Sequence, residues 1–181
     1  MGGHNRMKMD ALKKMYESIG LQTVTTYLQS GNVIFQTKET SEKTLEDLIA
    51  AKITETFGYN IEVLVIKMGD LQEIIANNPF AEKEEKFLFA TILSEMPNHV
   101  DIEKIKNKSA ENEDFKIVGR TVYFYMPNGY ATTKLNNTLI ERIFRLKATS
   151  RTLRTLIALA DQDRCGSHPT KLTNDISLAN T

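Results

Sequence analysis

Apolar residues recur at three- and four-residue intervals from about Lys8 to Ile19, as Met9, Leu12, Met15, Tyr16 and Ile19. That spacing gathers one stripe on a helix, and Gly20 supplies the left-handed stop that ends it. The pattern then changes. Thr23 to Leu28 and Asn32 to Thr37 are rich in β-branched and aromatic residues, and Gln29-Ser30-Gly31 between them offers the positive dihedral of a tight hairpin. Thr40 or Ser41 can cap a second helix carrying Leu45, Leu48, Ile49, Ile53 and Phe57 and closed by Gly58. Ile61 to Ile66 is a nearly continuous apolar run, the signature of a buried strand. A short helix over Asp70 to Ala76 follows, and Asn77-Asn78-Pro79 ends it.

The second half repeats this plan. Phe87 to Leu93 predicts a strand, Val100 to Lys106 a helix, and Phe115 to Val118 with Thr121 to Met126 a second hairpin turning at Gly119-Arg120. Helical spacing returns over Thr133 to Phe144 and over Thr152 to Ala160, which leaves Lys147 to Ser150 for a short edge strand. The order strand, helix, strand, strand, helix, strand is the split βαβ plan known as ferredoxin-like. Set beside it, the first half is the same plan without its first strand, since Gly2-Gly3-His4-Asn5-Arg6 stands before the first helix with no strand ahead of it.

The expected fold is therefore α+β, two ferredoxin-like lobes packed as one compact unit. Residues 1–80 form the first lobe with its connecting helix, 81–161 the second, and 162–181 a polar, aperiodic, disordered tail dispensable for folding. The absent strand is a central one, between the third and fourth strands. Either the true start lies upstream, or another segment or chain fills the slot, because an open strand row is a template for pairing.

Composition narrows the chemistry. The 41% hydrophobic content is that of a globular chain. Its 23 basic and 23 acidic residues cancel, so no global field favours nucleic acid or an anionic membrane, and any anion site must be local. The single Cys165 cannot build a disulfide framework or a cysteine zinc cluster, and no metal site is expected. No apolar run approaches the roughly 18 residues a membrane span needs, and the N-terminus has no signal-peptide core, so a cytoplasmic chain is expected.

The stretch Gly2, Gly3, His4, Asn5, Arg6 is the leading site. Small residues let backbone N–H groups approach a ligand, the following helix N-terminus favours negative charge, and Arg6 and Lys8 add charged donors. It is not a dinucleotide fingerprint, because the spacing of glycines is wrong. Gln29, Ser30 and Asn32 can converge on that loop, although Ser, Gly and Asn are also what a hairpin turn demands. A nucleophilic Ser30 would need a base, and the only histidines are His4, His99 and His168. Tyr123, Phe124 and Tyr125 alternate, sending Phe124 to one face and the tyrosines to the other, which suits a covered sheet better than a base-stacking surface.

The segments GGHNRMKM, SIG and TYLQSGNVIF, taken together, resemble a bacterial family known as domain of unknown function 1697, over Gly2 to about Ala160. The combination of a GGxN loop with QSGNV at this spacing is specific to that family. Members similar to this chain open with a strand of the type ALLRGINV directly before the glycines. They also carry GRSKL-like and TTRNW-like stretches, which here read Ala131-Thr132-Thr133-Lys134-Leu135 and Ala148-Thr149-Ser150-Arg151-Thr152-Leu153. Lys134 and Arg151 are kept, while Thr152 and Leu153 stand where Asn and Trp are typical. The resemblance implies a two-lobed fold and no established activity or cofactor.

The expected function is a module binding a small anionic or phosphorylated ligand near Gly2 to Lys8 and Gln29 to Asn32, with Lys134 and Arg151 contributing. Two alternatives stand beside it. One is a transferase or hydrolase on a phosphate-bearing substrate, using Arg6 and Lys134 for charge stabilisation. The other is an interaction module, including a homodimer, pairing through the open strand position.

Overall fold

The structure, a computed structural model, describes residues 7–27, 31–163 and 173–179. Its contacts divide the chain into two units, Met1–Leu71 with Leu159–Thr181, and Gln72–Ala158. Among the described residues there are six α-helices and two four-stranded antiparallel sheets, a mixed α+β architecture.

In the first unit, α1 (Met9–Ser18) buries Leu12, Met15 and Tyr16, the stripe read from the sequence. β1 (Gln22–Tyr27) and β2 (Asn32–Thr37) pair as the expected hairpin, with Gly31 at φ 71° where a side chain would be strained. α2 (Glu42–Phe57) starts at Ser41, whose hydroxyl accepts from the Thr44 amide at 3.2 Å, and ends at left-handed Gly58. β3 (Val63–Lys67) follows. Leu12 and Tyr16 from α1, and Leu45, Ile49 and Ile53 from α2, close on Val33, Phe35 and Val65 of the sheet.

The segment expected as a disordered tail does not behave as one over its last strand. Gln162 and Asp163 complete α6 (Leu153–Asp163), and Thr173–Ala179 forms β8. β8 lies between β2 and β3 and is antiparallel to both, giving the order β1-β2-β8-β3. The central place between β2 and β3 is thus occupied by a C-terminal segment of the same chain. The reason is backbone pairing. A segment with few large apolar residues gains little from its own side chains, but in a central slot it satisfies the N–H and C=O rows of two neighbours at once. Ser177 and Leu178 are fully buried there, and the Tyr16 hydroxyl is hydrogen-bonded to Ser177 Oγ.

The second unit is entered along α3 (Met68–Ala76). A 3-10 turn (Glu85–Phe87) leads into β4 (Leu88–Leu93), all of it buried. α4 (Ile102–Lys106) is capped by Asp101, whose carboxyl is held below the usual carboxylate range by its bonds to Lys104. β5 (Asp114–Val118), β6 (Thr121–Tyr125), α5 (Asn137–Phe144) and β7 (Ala148–Thr152) complete the unit, with strand order β5-β6-β4-β7. β7 occupies an edge, as Lys147 to Ser150 suggested. α5 begins four residues later than its apolar spacing predicts, because the Asn136 side chain accepts from the Leu139 amide at 2.9 Å and takes the cap.

The alternation on β6 is realised. Phe124 sits in the core beside Phe115, while Tyr123 on the other face is 2% exposed and donates to the Ile74 carbonyl at 2.7 Å. Tyr125, half-buried, is flanked by Phe80 and Phe87.

One device recurs in both units. The Glu46 carboxylate of α2 accepts from the Val65 amide at 3.0 Å, and Glu141 of α5 accepts from the Ala148 amide at 3.0 Å. Each helix places an acceptor on an amide of the edge strand that follows it, which blunts that edge against pairing with another chain. A local strain lies on the opposite edge of the first sheet. Thr23, a β-branched residue at φ 49°, sits where the β1–β2 register shifts, its hydroxyl bonded to the Gln36 side chain. Left-handed backbone costs a non-glycine residue roughly 1–2 kcal/mol, against roughly 0.5–1 kcal/mol of extra ordering cost for glycine. Thr23→Gly is expected to raise stability by about 0.5–1 kcal/mol in a urea titration, and a loss would show that the hydroxyl contact outweighs the strain.

Candidate ligand site

α1 passes through Ile19, Gly20 and Leu21 into β1 and packs back along it. Its first turn and the β1–β2 turn therefore lie toward the same end of the first sheet. Lys8 occupies the N-cap position in extended conformation, with φ −67° and ψ 129°, and is exposed. A lysine side chain can only donate, so it gives no acceptor to the N–H groups of the first turn. The acidic residue there is Asp10, whose charge suits the helix dipole and opposes a second anion.

Gly2, Gly3, His4, Asn5, Arg6, Gln29 and Ser30 lie outside the described residues. Asn32 is described, and it is fully buried rather than open to a ligand. It stands in register with Tyr27 on one side and Leu178 on the other, and its Nδ2 points to the Tyr27 carbonyl at 3.5 Å. That placement fits the hairpin closure that its residue type also suggested.

Lys134 and Arg151 belong to the second unit. Lys134 is exposed in the loop before α5. Arg151 is half-buried on β7, where its Nη1 donates to Thr149 Oγ1 and to the Ser150 carbonyl, both at 2.9 Å. Burial pushes its guanidinium down to about 10, which still leaves it cationic at neutral pH. The charge is directed into the strand's own framework.

Sequence reasoning missed the polar cluster beside it. Ser150 Oγ bonds Thr91 Oγ1 at 2.7 Å and Asn137 Oδ1 at 3.0 Å, and Asn137 Nδ2 donates to the Ala148 carbonyl at 2.9 Å. These bonds tie the start of α5 and the central strand β4 to β7. The alternating hydroxyls of Thr149 and Ser150 behind an Asn-Asn pair were the available signal. Among the described residues no group of three or more His, Cys, Asp and Glu side chains is placed to hold a metal ion, and His99 is exposed.

No helix among the described residues is long and apolar enough to cross a membrane. No curated protein and no solved structure matches the chain. The family model described as Protein of unknown function (DUF1697) matches residues 1–123, which takes in the glycine-rich stretch, both hairpins up to Tyr123 and β4. The match stops short of Lys134 and Arg151. It spans well over half of the 181 residues, so the chain belongs to the DUF1697 family of proteins of unknown function.

Proposed function

We propose that the chain is a cytoplasmic module binding a small anionic or phosphorylated ligand at one end of its first lobe, where Gly2 to Lys8 leads into α1 and Gln29 to Asn32 joins β1 to β2. The observation that carries this reading is the start of α1. Its first-turn N–H groups receive no acceptor from Lys8, they face the same end of the sheet as the hairpin turn, and a helix N-terminus favours negative charge. Arg6 and Lys8 supply the cations. In the same reading each unit is a ferredoxin-like lobe. The orders β5-β6-β4-β7 and β1-β2-β8-β3 support it, being the same arrangement once β8 stands for the first strand.

A thermal-shift screen of inorganic phosphate, sugar phosphates and nucleotides tests the reading, since ligand at 100 times its dissociation constant adds roughly 2.7 kcal/mol. Arg6→Ala is expected to leave stability within roughly 0.5 kcal/mol and to weaken binding by about 1.5–3 kcal/mol. Asp10→Asn removes the opposing charge from the first turn and is expected to strengthen binding by about 0.3–1 kcal/mol. A screen without a phosphate-bearing hit, or a hit that Arg6→Ala binds as tightly, sinks the proposal.

A further inference from the structure

Three of the outer strands are ill-suited to pairing with another chain. β3 and β7 each have an amide held by a helix carboxylate, and the register of β1 shifts between Gln22 and Thr25. The remaining outer strand is β5, which pairs with β6 without a register shift from Asp114 to Val118. Its open side follows from the bonds on the far side of β6. The Leu93 amide donates to the Arg120 carbonyl and the Met126 amide to the Phe87 carbonyl, both at 2.8 Å, so the even-numbered residues of β6 turn their backbone groups toward β4. Thr121, Tyr123 and Tyr125 then bond Val118, Lys116 and Asp114, which leaves the N–H and C=O of Phe115 and Ile117 directed outward. Asp114 Oδ1 accepts from the Phe115 amide at 2.8 Å, a local bond at the exposed edge. Beside this row Ile102 of α4, 45% exposed, lines an open groove with half-buried Phe115 and Ile117.

We propose that β5 is a self-association edge, pairing antiparallel with β5 of a second copy about a two-fold axis at Phe115. The charges on the strand select both the occupant and the register. With Phe115 opposite its own counterpart, Asp114 of each chain stands opposite Lys116 of the other, so a single strand supplies both halves of each ion pair. Both residues lie on the exposed face of β5, where Lys116 Nζ is 5.3 Å from the Phe80 ring centroid. Moving the axis to Lys116 sets two ammonium groups against each other. Moving it to Ile117 places Lys116 opposite Val118 and draws the Gly119 turn into the ladder. On the other face Phe115 meets Phe115, and Ile117 falls opposite Glu113, whose carboxylate is kept in its own loop by the Ala110 amide at 2.9 Å. The Phe115 amide exchanges its acceptor, from Asp114 to the Phe115 carbonyl of the second copy, and that releases the carboxylate for Lys116.

Sedimentation equilibrium of the full chain tests the pairing, with amide hydrogen exchange followed across the same concentrations. The parent should show a monomer–dimer equilibrium, and exchange at Phe115 and Ile117 should slow as dimer forms. Asp114→Lys places two lysines opposite each other and Lys116→Asp two aspartates, so each variant alone should associate at least tenfold more weakly, about 1.4 kcal/mol. Mixing the two variants restores opposite charges at both places, and a heterodimer should form. That recovery shows that neither variant has lost its fold. A parent that stays monomeric at millimolar concentration, which would leave β5 to a different protein, overturns the proposal. So does a dimer that both substitutions leave intact, a mixture that associates no better than its components, or a dimer in which Phe115 and Ile117 exchange as fast as in the monomer.

Discussion

Ending the chain after Asp163 is expected to abolish the cooperative unfolding of the first unit. β8 is central, so its removal opens the inner hydrogen-bonding rows of both β2 and β3. It exposes what Leu178 covers, about 1.5–3 kcal/mol for a fully buried leucine. It also strands the buried Tyr16 hydroxyl without Ser177, at about 1–3 kcal/mol for an unsatisfied donor. Set against a domain stability of about 5–15 kcal/mol, these losses and the opened rows take most of what holds the unit together. Hydrogen exchange at Val33, Phe35 and Val65 should approach the unprotected rate, while amides of Leu88–Leu93 serve as the reference within the same molecule. Ser177→Pro, which removes one ladder donor and leaves chain length alone, should act in the same direction to a smaller degree. An unchanged melt in the truncated chain would show that β2 and β3 do not depend on β8.

That expectation inverts what the residues of the segment suggest, and the inversion has a physical origin. α1, α2 and both hairpins were legible because their own side chains carry the signal. Leu12, Met15 and Tyr16 mark a stripe, Ser41 and Gly58 mark the ends of α2, and Gly31 marks a turn. TNDISLA carries no such pattern. Its place is decided by the vacancy between two apolar strands far away in sequence, a tertiary effect that no local window records. What was legible was the room for one more central strand, from the order helix, strand, strand, helix, strand of the first half. Legibility of the candidate site was uneven for a related reason. Ser, Gly, Asn and Arg serve both ligand contact and turn or strand framework, and only neighbours decide between them. Buried Asn32 beside the Tyr27 carbonyl, and Arg151 directed at Thr149 and the Ser150 carbonyl, are framework by that criterion. Exposed Lys8 stands at the N-cap position of α1 and makes no side-chain bond to the helix.

Tyr16→Ala is expected to cost about 3–5 kcal/mol, the range for deleting a large buried aromatic side chain. The ring is fully buried, stands 5.8 Å from Phe35, and bonds β8 through its hydroxyl. Smaller changes separate these contributions. Tyr16→Phe keeps the ring and loses the bond, whereas Ser177→Ala leaves a buried hydroxyl unsatisfied, about 1–3 kcal/mol. Making both changes should cost less than the sum of the two, because neither partner is then left without its bond. The same hydroxyl sets an alkaline limit on the fold. Burial pushes its pKa well above the ordinary value of 10.0, so the folded state holds the proton more tightly than the unfolded chain does. Below pH 10 both states are protonated and the contribution is fully present. As the pH rises past that value the unfolded chain ionises first, and stability falls until the folded phenol also titrates. Tyr123, pushed up to about 12 by burial, acts in the same direction in the second unit and gives a background slope. Melting temperatures of the parent and of Tyr16→Phe, measured from pH 8 to pH 11, should therefore converge at the alkaline end, because only the parent carries the Tyr16 term and other groups titrate in both. Parallel curves across that window would mean that the Tyr16 hydroxyl meets water in the folded chain and that β8 does not seal it.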